Sequence, residues 1–271
     1  MSTALQPGTS WYDYPQYYDL AFRDETPVET RFIEAACRRF AAGTVERLFE
    51  PACGSGRTLA ALAARGFQMI GLDLNPSALR YAGRRLRRRG RSAELIEGDM
   101  TDFRLARRVD SAYCLLNSFR HLLSEEAARS HLRAVARAVR PGGIYLLGFH
   151  LLPPDASLES TERWMVVRGR TRMTVTLRVT AADRRTRIER LRMTSRIDSP
   201  RGLLRLRDEF PLRIYNARQV RQLLAAVPEW QLCEVYDFWC DIDDPRPFDN
   251  ELADAIFVLR RASSSNLCSR Y

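Results

Sequence analysis

Apolar residues in the first 150 positions fall into short continuous runs separated by stretches of helical period. Residues 45–49 and 68–72 read as buried strands, and residues 57–65 between them form a helix. A further helix begins near Pro76, and strands follow at 93–96 and 109–116. The helix expected over 124–139 opens with Ser124 as N-cap and carries Glu125 and Glu126 in its first turn, where acids suit the dipole. Arg140-Pro141-Gly142-Gly143 stops it, and residues 144–149 make a fifth strand. Strands alternating with helices predict a parallel sheet covered on both faces. Beyond residue 150 the period changes to two. Residues 163–215 predict an antiparallel meander of about four strands. Its expected turns are Gly169-Arg170, Ala182-Asp183-Arg184 and Ser199-Pro200-Arg201-Gly202. A helix over 217–226, capped by Asn216, and strands at 230–238 and 255–259 complete the pattern.

The first strand–helix–strand unit carries the chemistry. Glu50 ends the first strand, Cys53-Gly54-Ser55-Gly56 makes a tight turn, and Asp73 ends the second strand. Open parallel sheets bind ligands at this end of the strands, and glycine lets the chain turn sharply under a ligand. Asp73 lies 19 residues past Gly54, near the spacing of roughly 20 that puts a carboxylate on a ribose. The unit is therefore expected to take an adenosine-containing cofactor. A dinucleotide fingerprint would need a third glycine where Leu59 stands, which disfavours an oxidoreductase. The chain has no lysine, so a phosphate-binding Gly-Lys pair is excluded. Cys53 reads as a small packing residue of the turn rather than a nucleophile.

The run Glu50-Pro51-Ala52-Cys53-Gly54-Ser55-Gly56 resembles motif I of the class I S-adenosylmethionine-dependent methyltransferases. Glu97-Gly98-Asp99-Met100 after the third strand and Arg140-Pro141-Gly142-Gly143 before the fifth are similar to further segments of that family, and residues 44–150 carry the resemblance most closely. It implies a Rossmann-like α/β fold with a seven-stranded sheet, helices on both faces, an antiparallel hairpin at one edge and an inserted antiparallel sheet. It also implies S-adenosylmethionine as cofactor. Glu50, Ala52, Cys53, Gly54 and Gly56 would lie around its amino acid end, and Asp73 and Leu74 around its ribose. Asp99 and Met100 would hold the adenine, and Leu115 and Asn117 are further expected cofactor contacts. Trp11-Tyr12-Asp13-Tyr14-Pro15-Gln16-Tyr17-Tyr18-Asp19 resembles the family's leader helix, which implies a cofactor contact from Tyr17 or Tyr18.

The inserted sheet resembles that of small-molecule N-methyltransferases acting on glycine or amino sugars, where it walls the acceptor. The organisation implied is a leader over 1–30, a cofactor core over 31–152, an inserted lid over 160–213, a return to the core over 214–262 and a flexible tail over 263–271. The first ten residues are expected to be disordered as well. His121 follows the fourth strand and is the candidate base or acceptor contact, since histidine titrates near neutrality. His150 ends the fifth strand and could face the acceptor. His131, mid-helix among arginines, reads as a surface residue. Arg213-Ile214-Tyr215 is similar to a segment of those enzymes and nominates Tyr215. Trp239, with Tyr236 and Asp241, is a further pocket candidate.

Composition narrows the partners. Net charge is +10 and every cationic side chain is arginine. A nucleic-acid partner would fit that charge, but aromatics for base stacking are not interleaved with the densest cluster, Arg84 to Arg91. The cluster reads as a solvated helix end, and nucleic acid is disfavoured. The six cysteines show no metal-ligand spacing and read as free thiols of a cytoplasmic protein. No apolar run is long enough for a membrane span, no secretory signal is visible and no metal is expected. The expected activity is methyl transfer to nitrogen or oxygen of a small molecule, by a monomer or homodimer. The alternatives are an RNA or tRNA methyltransferase and a non-enzymatic binding protein for the same cofactor.

Overall fold

The structure is a computed structural model, and it describes residues 10–263. The expectations for residues 1–9 and for the tail from 264, Cys268 included, lie outside the described residues. The chain opens with a 3-10 turn at Trp11–Asp13, helix α1 (Pro15–Ala21), a second turn at Arg23–Glu25 and helix α2 (Thr26–Phe40). Then come β1 (Arg47–Pro51), α3 (Arg57–Ala64), β2 (Gln68–Asp73), α4 (Pro76–Arg88), β3 (Glu94–Glu97) and β4 (Ser111–Cys114). A third turn at Ser118–His121 leads into α5 (Glu125–Ala138) and β5 (Ile144–His150). Strands β6 (Thr161–Arg168), β7 (Thr171–Asp183), β8 (Ile188–Ser199) and β9 (Gly202–Arg213) precede α6 (Ala217–Ala225), β10 (Trp230–Tyr236) and β11 (Asp254–Arg261).

Seven strands form one sheet in the order β10-β11-β5-β4-β1-β2-β3, and β6 to β9 form a second sheet in chain order. β11 runs antiparallel to both its neighbours, while β5, β4, β1, β2 and β3 pair parallel. The strand order reverses at β1, which lies between β4 and β2, and ligands bind beyond the carboxyl ends of strands at such a point. Alternate residues of each strand feed opposite faces. Phe49, Tyr145, Leu147 and Phe257 enter one core with α5 and α6, whereas Leu48, Ile144, Leu146 and Val258 enter the other with α2 and α3. A third apolar cluster joins the leader to the second sheet, with Trp11, Leu20 and Ala21 against Met173, Val175, Met193 and Leu206.

Local chemistry sets the helix ends. Asn75 accepts from the backbone of Ser77 at 2.8 Å and precedes Pro76, so α4 starts where a cap meets a residue that lacks an N–H. Asn216 and Gln219 exchange hydrogen bonds of 2.9 and 3.0 Å in a capping box at the start of α6. Two expectations are corrected. β4 stops at Cys114, because Leu116 and Asn117 adopt φ of 55° and 67° and turn the chain out of the sheet. His131 is buried, not at the surface: it shares the inner stripe of α5 with Ala128, Leu132 and Val135. Its ring lies 2.9 Å from the Met100 carbonyl and 2.7 Å from the Tyr145 hydroxyl, and burial pushes its pKa down to about 4.

Asp110 ties three elements at the end of the sheet remote from the turns. Its carboxylate accepts from the amides of Glu46 and Arg47 at 2.9 and 2.8 Å and from Arg140 Nε at 2.8 Å. Gly143 packs beside it, where a Cβ would stand 2.0 Å from the Asp110 carbonyl oxygen, so only glycine fits. Partial burial raises the Asp110 pKa, but the two amides and the guanidinium outweigh it and the net shift is downward. An acid with a lowered folded pKa contributes stability above its unfolded pKa and loses it as pH falls through the folded one. Asp110→Ala is therefore expected to destabilise the fold by roughly 1–3 kcal/mol at neutral pH, with a smaller deficit in acid. Urea unfolding at two pH values measures this, and an equal deficit at both would exclude the charged contribution.

Candidate active site

A cavity of about 330 Å³ opens above the carboxyl ends of β1, β2 and β4. The turn after β1 forms its floor. Ala52 and Gly54 take φ of 56° and 51°, which turns the chain back so that Gly56 can start α3. Gly56 itself has φ of 64°, and a Cβ there would stand 2.7 Å from that of Ala82. The Ser55 hydroxyl, in the same turn, is buried without a hydrogen-bond partner among the described residues. A buried polar group without a partner is costly, and this one lines the cavity.

Two carboxylates face the same space. Asp73 accepts from the Gly54 amide at 2.7 Å through one oxygen and from the Asn75 amide at 2.8 Å through the other. Each oxygen keeps a free lone pair for a ligand hydroxyl. Burial raises the Asp73 pKa, and its three backbone donors oppose the rise. Glu50 lies deeper, where Thr58 Oγ1 donates at 2.7 Å and the Tyr113 hydroxyl at 3.0 Å. Burial drives its pKa up to about 8 against those donors and Arg57. The Arg57 guanidinium is already committed to Glu29 in a buried two-point ion pair, one contact of which is 2.8 Å, and to Thr26 Oγ1 at 3.0 Å. The floor therefore holds an acid without a cation of its own.

A second cavity of about 380 Å³ lies between the same strand ends and the inner face of the β6–β9 sheet. The two cavities share Tyr12, Tyr18, Leu116 and His121 as walls. The Tyr12 hydroxyl and His121 Nε2 are 3.0 Å apart, and Phe210 packs beside both rings. Burial, with Arg120 next to it, lowers the His121 pKa to about 4, so the imidazole is neutral at pH 7. The leader is strapped in place from two sides. Asp208 on β9 accepts from Ser10 Oγ and the Trp11 amide at 2.8 Å, and Asn75 Nδ2 donates to the Tyr12 carbonyl at 3.2 Å.

Residues 49–143 match a family model described as a methyltransferase domain. The dTDP-3-amino-3,6-dideoxy-alpha-D-glucopyranose N,N-dimethyltransferase of Streptomyces fradiae is 27% identical over 180 residues, covering 66% of this chain and 68% of that one. An S-adenosylmethionine-dependent methyltransferase from Clostridium acetobutylicum has the same fold, with a TM-score of 0.76, 14% identity and coverage of 93% of this chain and 99% of that one. CalS10 of Micromonospora echinaspora, an amino pentose methyltransferase solved with S-adenosylmethionine, gives a TM-score of 0.69 at 20% identity over 95% and 100% of the two chains. Residues 49–143 are thus similar to a methyltransferase domain, and the chain has the fold of the class I S-adenosylmethionine-dependent methyltransferases.

The first cavity fits S-adenosylmethionine, the cofactor of that fold family. A bare backbone turn, a buried hydroxyl without a partner and an acid lacking a cation suit an amino acid end bearing carboxylate and ammonium. Asp73 suits a ribose diol, and Leu74, Gly98 and Met100 form an apolar slot beyond it. Of the residues nominated from sequence, the cavity brings together Tyr18, Glu50, Ala52, Cys53, Gly54, Asp73, Leu74, Met100, Leu115 and His121. Gly56 shapes the turn from behind. Tyr17 stacks on Tyr14 at 6.2 Å and does not line the cavity. Asp99 is turned to solvent and accepts from the Thr101 amide and hydroxyl at 2.7 and 2.8 Å. Asn117 and His150 line the second cavity instead.

Two acceptor candidates fall elsewhere. Tyr215 is fully buried against Phe119 and Phe149, with the Arg187 guanidinium over its ring at 4.9 Å, because it belongs to the apolar face under α5. Trp239 is 81% exposed on a surface turn, and it lines neither cavity. Of its two companions, Tyr236 packs on Phe32 in the core and Asp241 is exposed. Tyr12, Glu162 and Glu189 were not read from sequence as site residues. Period-two alternation with Leu191 and Met193 places Glu189 inward and was the available signal.

The state of Glu50 yields a measurable consequence. At pH 7 a carboxyl with pKa near 8 is mostly protonated, and a cation bound beside it favours the carboxylate. Binding of S-adenosylmethionine at pH 7 is expected to release a proton, detected as a heat of binding that varies with buffer ionisation enthalpy. The release should vanish in Glu50→Gln and well above pH 8. Buffer-independent heats in the native protein would refute this role.

Proposed function

We propose that this chain methylates an amine of a small molecule, with amino sugars as the favoured acceptor class. The observation that carries the proposal is the pair of cavities meeting at Tyr12 and His121. One suits the cofactor; the other is a separate acceptor chamber opening onto it. When bound, S-adenosylmethionine supplies a methyl group already activated on a sulfonium. The chain's own contribution is to align a lone pair with it and exclude water, and alignment alone is worth roughly 7–11 kcal/mol.

The acceptor chamber favours nitrogen over oxygen. Its apolar walls include Trp164, Leu177, Leu191 and Met193, and its charged groups are Glu162, Glu189, Asp254 and Arg120. Arg120 is paired with Glu189 in a buried bridge and donates from Nε to the Arg213 carbonyl at 2.9 Å. That leaves a chamber of negative sign, suited to an ammonium that loses its proton on the way to attack. The relative from Streptomyces fradiae acts on an amino sugar nucleotide, which supports the same class. On this reading the β6–β9 sheet is the acceptor's wall, and Tyr12 and His121 orient the amine between the chambers. The free thiols of Cys37, Cys53, Cys114, Cys233 and Cys240 suit a reducing, cytoplasmic setting.

Incubation with S-adenosylmethionine and dTDP-3-amino-3,6-dideoxyglucose, with a panel of free amino sugars alongside, is expected to give products carrying one or two added methyl groups by mass spectrometry. Tyr12→Phe and His121→Ala should each lower kcat by about 10- to 100-fold while leaving the affinity for S-adenosylhomocysteine within a few-fold. A protein that binds the cofactor yet methylates no amine would sink the proposal.

A further inference from the structure

We propose that His150 and Asp254 form a dyad that takes the proton from the acceptor, a role that rests on the amine reading above. Methylating an ammonium requires its N–H proton to leave, and His121 is poorly placed to receive it. Its Nε2 is already engaged by the Tyr12 hydroxyl at 3.0 Å, and its ring sits between Tyr12 and Phe210. The second chamber holds another imidazole. His150 is the last residue of β5 and Asp254 the first of β11, and the antiparallel register sets them directly opposite. Opposed residues of such a pair project from one face of the sheet. The His150 Nδ1 lies 2.5 Å from Asp254 Oδ1, and both residues line the chamber.

Two contacts fix the ring: Asp254 orients Nδ1, and Phe238 meets the imidazole edge to face at 5.0 Å; the backbone below it is held by the His150 amide, which donates to Asn117 Oδ1 at 2.8 Å. A carboxylate on Nδ1 places the proton there and leaves the Nε2 lone pair for another partner. The step balances without a further reagent. An N–H bond of the acceptor ammonium breaks, its electron pair stays on nitrogen, and the proton forms Nε2–H on His150. The resulting imidazolium is held beside the Asp254 carboxylate until the proton passes to solvent, since both side chains stay about 40–45% exposed. The other charged or titratable groups around the dyad are Glu162, Glu189, Arg120 and the neutral His121 in the chamber and Glu25 on the leader.

The test uses the full chain with S-adenosylmethionine and the amine panel. His150→Ala is expected to lower kcat by about 10²- to 10⁴-fold. KM and the affinity for S-adenosylhomocysteine should stay within a few-fold, and added imidazole should restore part of the rate. Asp254→Asn should lower kcat less. His150→Ala within about 3-fold of the native rate overturns the proposal. A second readout needs no acceptor: nitrogen NMR of the resting protein at alkaline pH should show His150 protonated at Nδ1 with Nε2 bare, and Asp254→Asn should lose that preference. A proton on Nε2 overturns the dyad. If no amine is methylated by the native protein, the amine reading falls, and the tautomer still decides whether the dyad exists. Thermal unfolding of each variant separates misfolding from loss of the proton acceptor.

Discussion

One carboxylate connects the parts of this site. Asp73 holds the glycine turn through Gly54 with one oxygen and the Asn75 amide with the other. Asn75 caps α4 with its side-chain oxygen and grips the leader at Tyr12 and Asp13 with its nitrogen. The leader in turn is tied through Ser10 and Trp11 to Asp208 on β9. The cofactor turn, the helix beside it, the leader and the inserted sheet thus form one hydrogen-bonded series. A buried carboxylate is retained only where such donors satisfy it, so the first cavity and the β6–β9 sheet constrain each other.

The two cavities differ in chemistry because they are built differently. The first sits on backbone: a turn of left-handed residues, free amides and two acids whose burial raises their pKa. It is tuned for a ligand that brings its own positive charge. The second is enclosed by side chains of the antiparallel β6–β9 sheet and by aromatic residues of the leader, with carboxylates set among apolar walls. Between them stands a neutral histidine paired with a tyrosine. Burial keeps both uncharged.

Much of the architecture was legible in the chain. The alternation of buried runs and helical periods gave the strand and helix order, and the change of period after residue 150 gave the second sheet. Caps at Asn75, Ser124 and Asn216 fall where local chemistry puts them, since a cap needs only its next three residues. His131 was misjudged because its arginine neighbours in sequence are not its neighbours in space; the helical stripe of Ala128, Leu132 and Val135 carried the truth. Trp239 and Tyr215 show the same error in opposite directions: an aromatic side chain does not disclose whether it faces solvent, a cavity or the core.

The sequence alone determined the glycine turn, the acids at the ends of β1 and β2 and the class of fold, because these depend on residue type at short spacing. Only the tertiary structure decided which groups meet across long separations. Tyr12 reaches His121, Arg120 reaches Glu189, and His150 reaches Asp254, each pair joined by sheet register or by the docking of the leader. No local propensity encodes such pairs. They exist because the β6–β9 sheet folds back over the strand ends, and because β11 enters the main sheet antiparallel beside β5.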